Sequence, residues 1–379
     1  MPNNVPNRSV EQRPARLKIL YVMHVDWEWA KQRPHFIAEN LAVQHRVVVC
    51  FPYSINRSQL RKNPSRGLPK FPFMVLPGSD QYAFLYRIGT WINQSLSAVL
   101  IAWWRPDFIW FCSPEHLEVV PANHGARLVY DCMDDMGEFR MHDFKKENLK
   151  RLEKRLVADA GVVFCSSGRL REKLRQRYAE KTDAQVVRNA FDPAPLTIQL
   201  SEKGNNAPAG GRHKIGYIGT VSNWLDRDAL LLLVNAFEHL EVHLVGPIEI
   251  AKPDRIEHER IFWHGPVPHE EIKHYARAFD ALFMPFTINE LILSVDPVKF
   301  YEYIYFNKPI VSIKYPEIER FGVFVDFYSD HGSLKGIIGR YIESGFEKKY
   351  SSEAREQFIA QNTWNRRVGE IEQSLYALF

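Results

Sequence analysis

The chain has 379 residues, 45% hydrophobic and 25% charged, and its 49 Lys and Arg against 45 Asp and Glu leave a formal net charge of +4. That length points to two domains, and the composition excludes collagen, coiled coil and wholesale disorder. No stretch supplies the ~20 uninterrupted apolar residues of a membrane-spanning helix, and so mild a positive charge does not mark a nucleic-acid binder.

In chain order, residues 1–17 are polar and read as a disordered leader without a signal-type apolar run. Short β-branched runs then alternate with amphipathic stretches, the pattern of parallel sheets covered by helices. In the first half, strands are expected at Lys18–Met23, Arg46–Tyr53, Phe73–Leu76, Asp107–Ser113, Arg127–Met133 and Gly161–Ser166, with helices at Arg33–Val43 and Lys145–Ala158. Residues 197–213, rich in Gly, Asn, Ala, Ser and Pro, form a linker between domains spanning 18–196 and 214–350. In the second half, strands are expected at Lys214–Val221, Val242–Val245, Arg260–Trp263, Ala281–Pro285 and Pro309–Ile313, with helices near Asp226–Phe237, His269–Ala278, Val298–Phe306 and Leu334–Ser344. Residues 351–379 read as a long helix that crosses back to the first domain. Cys50, Cys112, Cys132 and Cys165 form no CxxC pair or zinc spacing, so they read as reduced, buried thiols in a cytoplasmic protein.

Two doubly wound sheets bind ligands at the carboxyl ends of their strands, and four segments carry candidate chemistry there. In the loop His24–His35, Trp27, Trp29 and Arg33 could stack on a sugar and hold it, although Arg33 equally fits a structural role at the start of a helix. Next, Arg57, Arg61, Lys62, Arg66 and Lys70 come without an intervening acid and precede Phe71 and Phe73. Segment 57–73 therefore reads either as a contact for an anionic membrane surface or as a solvated loop beside a core helix that buries Trp91, Leu96, Leu100 and Trp103. The strand Leu128–Met133 runs into Asp134 and Asp135, where a carboxylate could serve as general base; otherwise the two acids cap the next helix. Last, a strand ending at Pro285 leads through a polar loop to a helix that begins near Pro297, with Asp296 as its expected N-cap. Helix amides and Lys299 in the first turn would hold a diphosphate, while Glu302, on the same face, would accept hydrogen bonds from ribose hydroxyls. A capped surface helix with a solvated Lys and Glu is the plainer alternative.

This last segment resembles the nucleotide-sugar site of GT-B glycosyltransferases, whose helix reads roughly P-x-K-x-x-E-x-x-x-x-G-K-P-V-V. The matching residues are Pro285, Phe286, Pro297, Lys299, Glu302, Lys308, Pro309 and Val311, with Asn307 in place of the Gly. The resemblance extends to Tyr217-Ile-Gly219-Thr220, Leu244-Val-Gly-Pro247, His264–Pro268 and Val187–Asp192. The opening loop is similar to that of bacterial surface-polysaccharide transferases of the TuaH-like group, and the V-Y-x-x-x-D strand resembles that of the xanthan glucuronosyltransferase, which puts its base at Asp134.

The resemblance implies a GT-B fold, with the first domain binding acceptor and the second binding donor. Gly219, Thr220, Phe286, Asp296, Lys299 and Glu302 would then surround the donor, and Trp27, Trp29, Arg33 and Asp135 the acceptor. A nucleotide-diphosphate sugar is implied as donor, a UDP-sugar being the leading expectation, and a glycan or lipid-linked glycan as acceptor; no cofactor and no metal are implied. Retaining members commonly carry two acids eight positions apart here, but the residue eight before Glu302 is Ser294. Inversion with Asp134 as base is the expectation; a retaining transferase, a nucleotide-sugar epimerase and a non-catalytic nucleotide-binding subunit are the alternatives.

Overall fold

The computed structural model describes residues 16–28, 31–53, 67–79, 81–139, 142–178, 183–192, 211–252, 255–268 and 271–379. Most of the expected leader and linker, Trp29, and Arg57 to Arg66 lie outside them.

A parallel sheet in the order β3-β2-β1-β4-β5-β6-β7 is built from β1 (Lys18–Val22), β2 (Arg46–Tyr53), β3 (Lys70–Met74), β4 (Phe108–Phe111), β5 (Arg127–Cys132), β6 (Ala160–Cys165) and β7 (Gln185–Val186). Its central strands are buried on both faces, which is why β4 reads as the unbroken apolar run Phe-Ile-Trp-Phe. The connecting helices are α1 (Arg33–Gln44), α2 (Ala83–Trp104), α3 (Asp143–Asp159) and α4 (Gly168–Tyr178).

In one of these helices the structure overturns the core alternative. α2 buries Gly89, Asn93, Ser97 and Ile101, one residue per turn, and turns its aromatic residues outward. Trp91 is 67% exposed and Trp103 80%, so neither is a core residue, and Leu96 is exposed as well. Polar bonds fix this choice of face. Asn93 brackets Met74 at the end of β3, accepting from its amide at 2.9 Å and donating to its carbonyl at 3.0 Å, and the Ser97 hydroxyl donates to the Val119 carbonyl. Gly89 faces Leu76 and Met74, where an added Cβ would make ordinary van der Waals contact at 3.6–3.8 Å.

A second parallel sheet, ordered β10-β9-β8-β11-β12-β13, comprises β8 (His213–Ile218), β9 (Leu240–Val245), β10 (Ile261–Gly265), β11 (Ala281–Met284), β12 (Ile310–Ile313) and β13 (Val325–Tyr328). Helices α5 (Arg227–Ala236), α6 (Ile272–Ala278), α7 (Val298–Tyr305) and α8 (His331–Ser344) accompany it. The short β13 was not expected because Asp326 interrupts its apolar pattern; Tyr341 donates to that carboxylate at 2.6 Å. The single long C-terminal helix also needs correction. Its chain forms α9 (Ser352–Gln361) and α10 (Trp364–Tyr376), separated where Asn362 accepts from the Phe191 amide at 3.2 Å and Thr363 bridges Phe191.

By packing, the chain divides into one unit of residues 1–130, 151–162 and 370–379 and another of 131–150 and 163–369. The chain end thus belongs to the first unit. There the Phe379 ring meets Phe108 at 5.5 Å and the Arg127 guanidinium at 4.3 Å, and Glu372 pairs with His45 at 3.0 Å.

Candidate active site

In the second unit, three neighbouring strands end in glycine-bearing turns. The Tyr217 hydroxyl donates to the Thr220 carbonyl at 2.9 Å and closes the turn after β8. A Cβ on Gly219 would stand 2.7 Å from that hydroxyl and 3.5 Å from Cε of Lys299. Gly246, at φ +140°, is more constrained, since a Cβ there would lie 2.1 Å from the Gly219 carbonyl oxygen. Gly219 donates to Val245 and Gly246 to Gly265, both at 2.9 Å, so the ends of β8, β9 and β10 form one close-packed corner. Bare backbone at a strand end is what lets a bulky anionic ligand approach.

α7 is fixed against this corner. The Tyr303 hydroxyl accepts from the Ile218 amide at 2.8 Å and donates to the Ile218 carbonyl at 3.3 Å, a pairing that ties α7 to β8. Its first internal bond runs from Phe300 to the Pro297 carbonyl, so the amides of Val298 and Lys299 begin the helix ahead of it. Lys299 is half-buried and Glu302 buried, and they pair at 2.8 Å one turn apart. Each thus neutralises the other beside Gly219. The segment Pro285–Thr287 is zipped to residues 224–226 by bonds from Asp226 to Pro285 at 2.8 Å and from Thr287 to Trp224 at 2.7 Å. Phe286 is buried and meets the Tyr217 ring edge-on at 6.2 Å, while Thr220 stays half-buried at the turn.

Asp296 takes a different position from the one expected. Pro297 occupies the cap of α7, and the Asp296 side chain makes no capping bond. Its carboxylate accepts from the Asn189 amide at 2.7 Å, from the Tyr301 hydroxyl at 3.1 Å and from Arg320. It is 2% exposed, so it braces the helix base and is already saturated as an acceptor. Burial, reinforced by the Asp296 charge, pushes the Tyr301 phenol well above its ordinary range and keeps it a donor.

The acidic strand end also lies in this unit. Asp135 is buried and gripped by Arg177 through two bonds, at 2.9 and 2.7 Å, and by Lys173 at 3.0 Å. Burial would raise its pKa, but hydrogen bonds and charge from Arg177 and then Lys173 outweigh that and hold the carboxyl below the usual range. Asp135 begins a short 3-10 turn, Met136–Glu138, without a side-chain cap bond, so helix capping does not account for it. Lys173 also pairs with Glu290 at 3.0 Å and donates to the Glu290 carbonyl at 3.2 Å, which links the acidic strand end to the loop before α7. Asp134 is half-buried, and its carbonyl accepts from the Met136 amide at 3.0 Å. Lys173, Arg177 and Tyr303 escaped the sequence reading. The one available signal was the spacing of four between the two cations, which sets them on one helix face.

The acceptor candidates of the first unit lie inward. Trp27 is fully buried, its ring centroid 5.0 Å from that of His35, so it offers no face to a sugar. Arg33, at 2% exposure, occupies the first turn of α1 and has the structural role left open above. The reason is local: His35 accepts from the Gln32 amide at 3.1 Å, a bond that winds the loop tightly into the helix. Burial lowers the His35 pKa to about 4 and keeps that acceptor neutral. Of segment 57–73, Lys70 is exposed and pairs with Glu28 at 3.2 Å, whereas Phe73 is buried.

No family model matches the chain. Its sequence is 21% identical over 332 residues to TuaH of Bacillus subtilis (strain 168), named as a teichuronic acid biosynthesis glycosyltransferase, covering 80% of this chain and 82% of that one. Among solved structures, HepE of Anabaena in complex with UDP aligns over 95% of this chain and 100% of its own, with a TM-score of 0.65 and 16% identity. Sucrose-phosphate synthase of Thermosynechococcus elongatus aligns over 96% and 100%, with a TM-score of 0.69 and 13% identity. Two parallel Rossmann-like sheets, a glycine corner beside a Lys-and-Glu helix, and likeness to TuaH converge: the chain has the GT-B fold and is similar to TuaH and to glycosyltransferases of that fold.

Proposed function

We propose that the enzyme transfers a sugar from a UDP-sugar to a hydroxyl of a surface glycan or lipid-linked acceptor, with inversion, without a metal, and at the cytoplasmic face of the membrane. The observation that carries this reading is the Lys299–Glu302 pair at the start of α7, beside the bare Gly219 backbone. A diphosphate arriving there would draw Lys299 to itself and free Glu302 to accept from the ribose hydroxyls. Lys299 and the first amides of α7 would neutralise the departing diphosphate, which supplies the charge stabilisation a metal gives elsewhere. The likeness to HepE, solved with UDP, favours uridine as the base.

In the proposed step the acceptor oxygen attacks the anomeric carbon as the bond from that carbon to the diphosphate oxygen breaks. The hydroxyl proton passes to Asp134, and UDP leaves with the bonding pair. Asp134 is chosen over Asp135 because the V-Y-x-x-x-D strand resemblance puts the base there and because Asp135 braces Lys173 and Arg177. Ser294 favours inversion over the double-acid retaining pattern. It is buried, its hydroxyl donates to the Glu290 carbonyl at 3.1 Å, and its own carbonyl accepts from Ser167 at 2.7 Å.

Titration with UDP, GDP, dTDP and CMP, followed by proton NMR of the product's anomeric configuration, tests the proposal. Wild type should bind UDP and yield inverted product. Asp134→Asn should retain UDP affinity and lose at least ~100-fold in turnover, within the usual range for a general base. UDP binding without transfer, epimer or free sugar would identify a binding subunit, and a fully active Asp134→Asn would move the base elsewhere.

A further inference from the structure

Helix α2 is amphipathic in the wrong sense for a helix whose only partner is its own domain. Phe84, Ile88, Trp91, Val99 and Trp103 are all exposed, and their spacing lines them along one face of a 22-residue helix about 33 Å long. The opposite face is anchored through Asn93 and Ser97, so the apolar face cannot roll inward without breaking those bonds. An exposed apolar stripe of this length marks a surface with a partner.

We propose that this face of α2 lies in the interface of an anionic lipid bilayer. The charge pattern selects that occupant. α2 contains no Asp or Glu; its one charged residue is Arg87, and the exposed Arg105 closes it. Two grooves border the helix, one of about 300 Å³ lined in part by Arg87, Trp91 and Arg155, the other of about 510 Å³ lined in part by Ile101 and Arg105. Glu118, in the first groove, is engaged by Arg151 at 2.7 Å and by the Tyr86 hydroxyl at 3.2 Å. Aromatic side chains flanked by cations suit the boundary between acyl chains and anionic headgroups. A second copy fits poorly, since an antiparallel pairing centred on Leu96 would set Arg87 of one copy against Arg105 of the other. α2 lies on the bilayer and does not enter it, because no helix among the described residues is long and apolar enough to cross.

The inference deepens the reading of a lipid-linked acceptor, and its test uses neither donor nor acceptor, so the two fail separately. Full-length protein is sedimented with phosphatidylcholine vesicles, with and without phosphatidylglycerol. Wild type should pellet with the anionic vesicles and less with the neutral ones. Trp91→Glu/Trp103→Glu should lose roughly tenfold or more in partitioning, given the apolar area withdrawn from the lipid, while Trp91→Phe/Trp103→Phe should still bind. Both variants should keep the wild-type melting temperature, because the replaced rings touch solvent. Wild type that stays in the supernatant, or a glutamate variant that pellets equally, overturns the proposal. A concentration-dependent dimer abolished by the glutamates would assign the face to a second copy and overturn it equally.

Discussion

The loop after β1 and the segment before α7 both follow buried parallel strands, and both looked like ligand loops, yet they are built oppositely. The first turns Trp27, Arg33 and His35 inward, at 0%, 2% and 0% exposure, and His35 accepts from the Gln32 amide at the start of α1. The second buries Asp296 and Tyr301, clasped by the solvent-facing Arg320, and leaves Lys299 and Glu302 to neutralise one another at the glycine corner. A strand-end loop is available to a ligand when separate residues satisfy its backbone.

The contrast predicts stability losses from the first loop and binding losses from the second. The largest effect is expected at Trp27. Trp27→Ala should cost about 3–5 kcal/mol in the first unit, as for other fully buried large aromatics. Denaturant melts should detect it, and UDP affinity of the protein that remains folded should not change. Weakened UDP binding in that folded fraction would erase the distinction between the loops.

Asp135→Asn comes next, because it leaves Lys173 and Arg177 without their shared counter-charge. The loss should be about 3 kcal/mol, the lower end for a broken buried pair, since Arg177 is partly open to solvent. Its pH signature has a definite sign. Asp135 titrates below its unfolded value, so its contribution is complete above about pH 4 and disappears as pH falls through the folded pKa. Wild type should lose stability more steeply than Asp135→Asn on acidification below that point. Parallel acid limbs would mean that Asp135 contributes no charge-dependent stability.

These contrasts also mark where sequence reading succeeds. Both sheets were legible because buried parallel strands such as Phe108–Phe111 and Ala281–Met284 must be apolar on both faces. The placement of Lys299 and Glu302 on one face of α7 was legible because one helical turn fixes it locally, although their ion pair was not. The face of α2 was not, since Asn93 and Ser97 select it through bonds to Met74 and Val119, far apart in sequence. The break between α9 and α10 and the Lys173 link to Asp135 depend on still more distant partners, and local composition carries no trace of them.

The smallest effect on stability, and the sharpest test of the donor corner, is expected at Lys299. Lys299→Ala removes a charge-assisted contact to phosphate and should weaken UDP binding by roughly ten- to a hundredfold, equivalent to about 1.5–3 kcal/mol. It also strands Glu302, which is 7% exposed and has Lys299 as its ion-pair partner, so a stability loss of about 1 kcal/mol should accompany it, the lower end for an unpaired buried group. Adding Glu302→Gln should restore that stability, because the stranded charge is gone, while UDP affinity stays low or falls further with the weaker ribose acceptor. A double variant that recovers UDP binding would show that the Lys299 charge acts only to neutralise Glu302, and the diphosphate would then have to be held by the α7 amides alone.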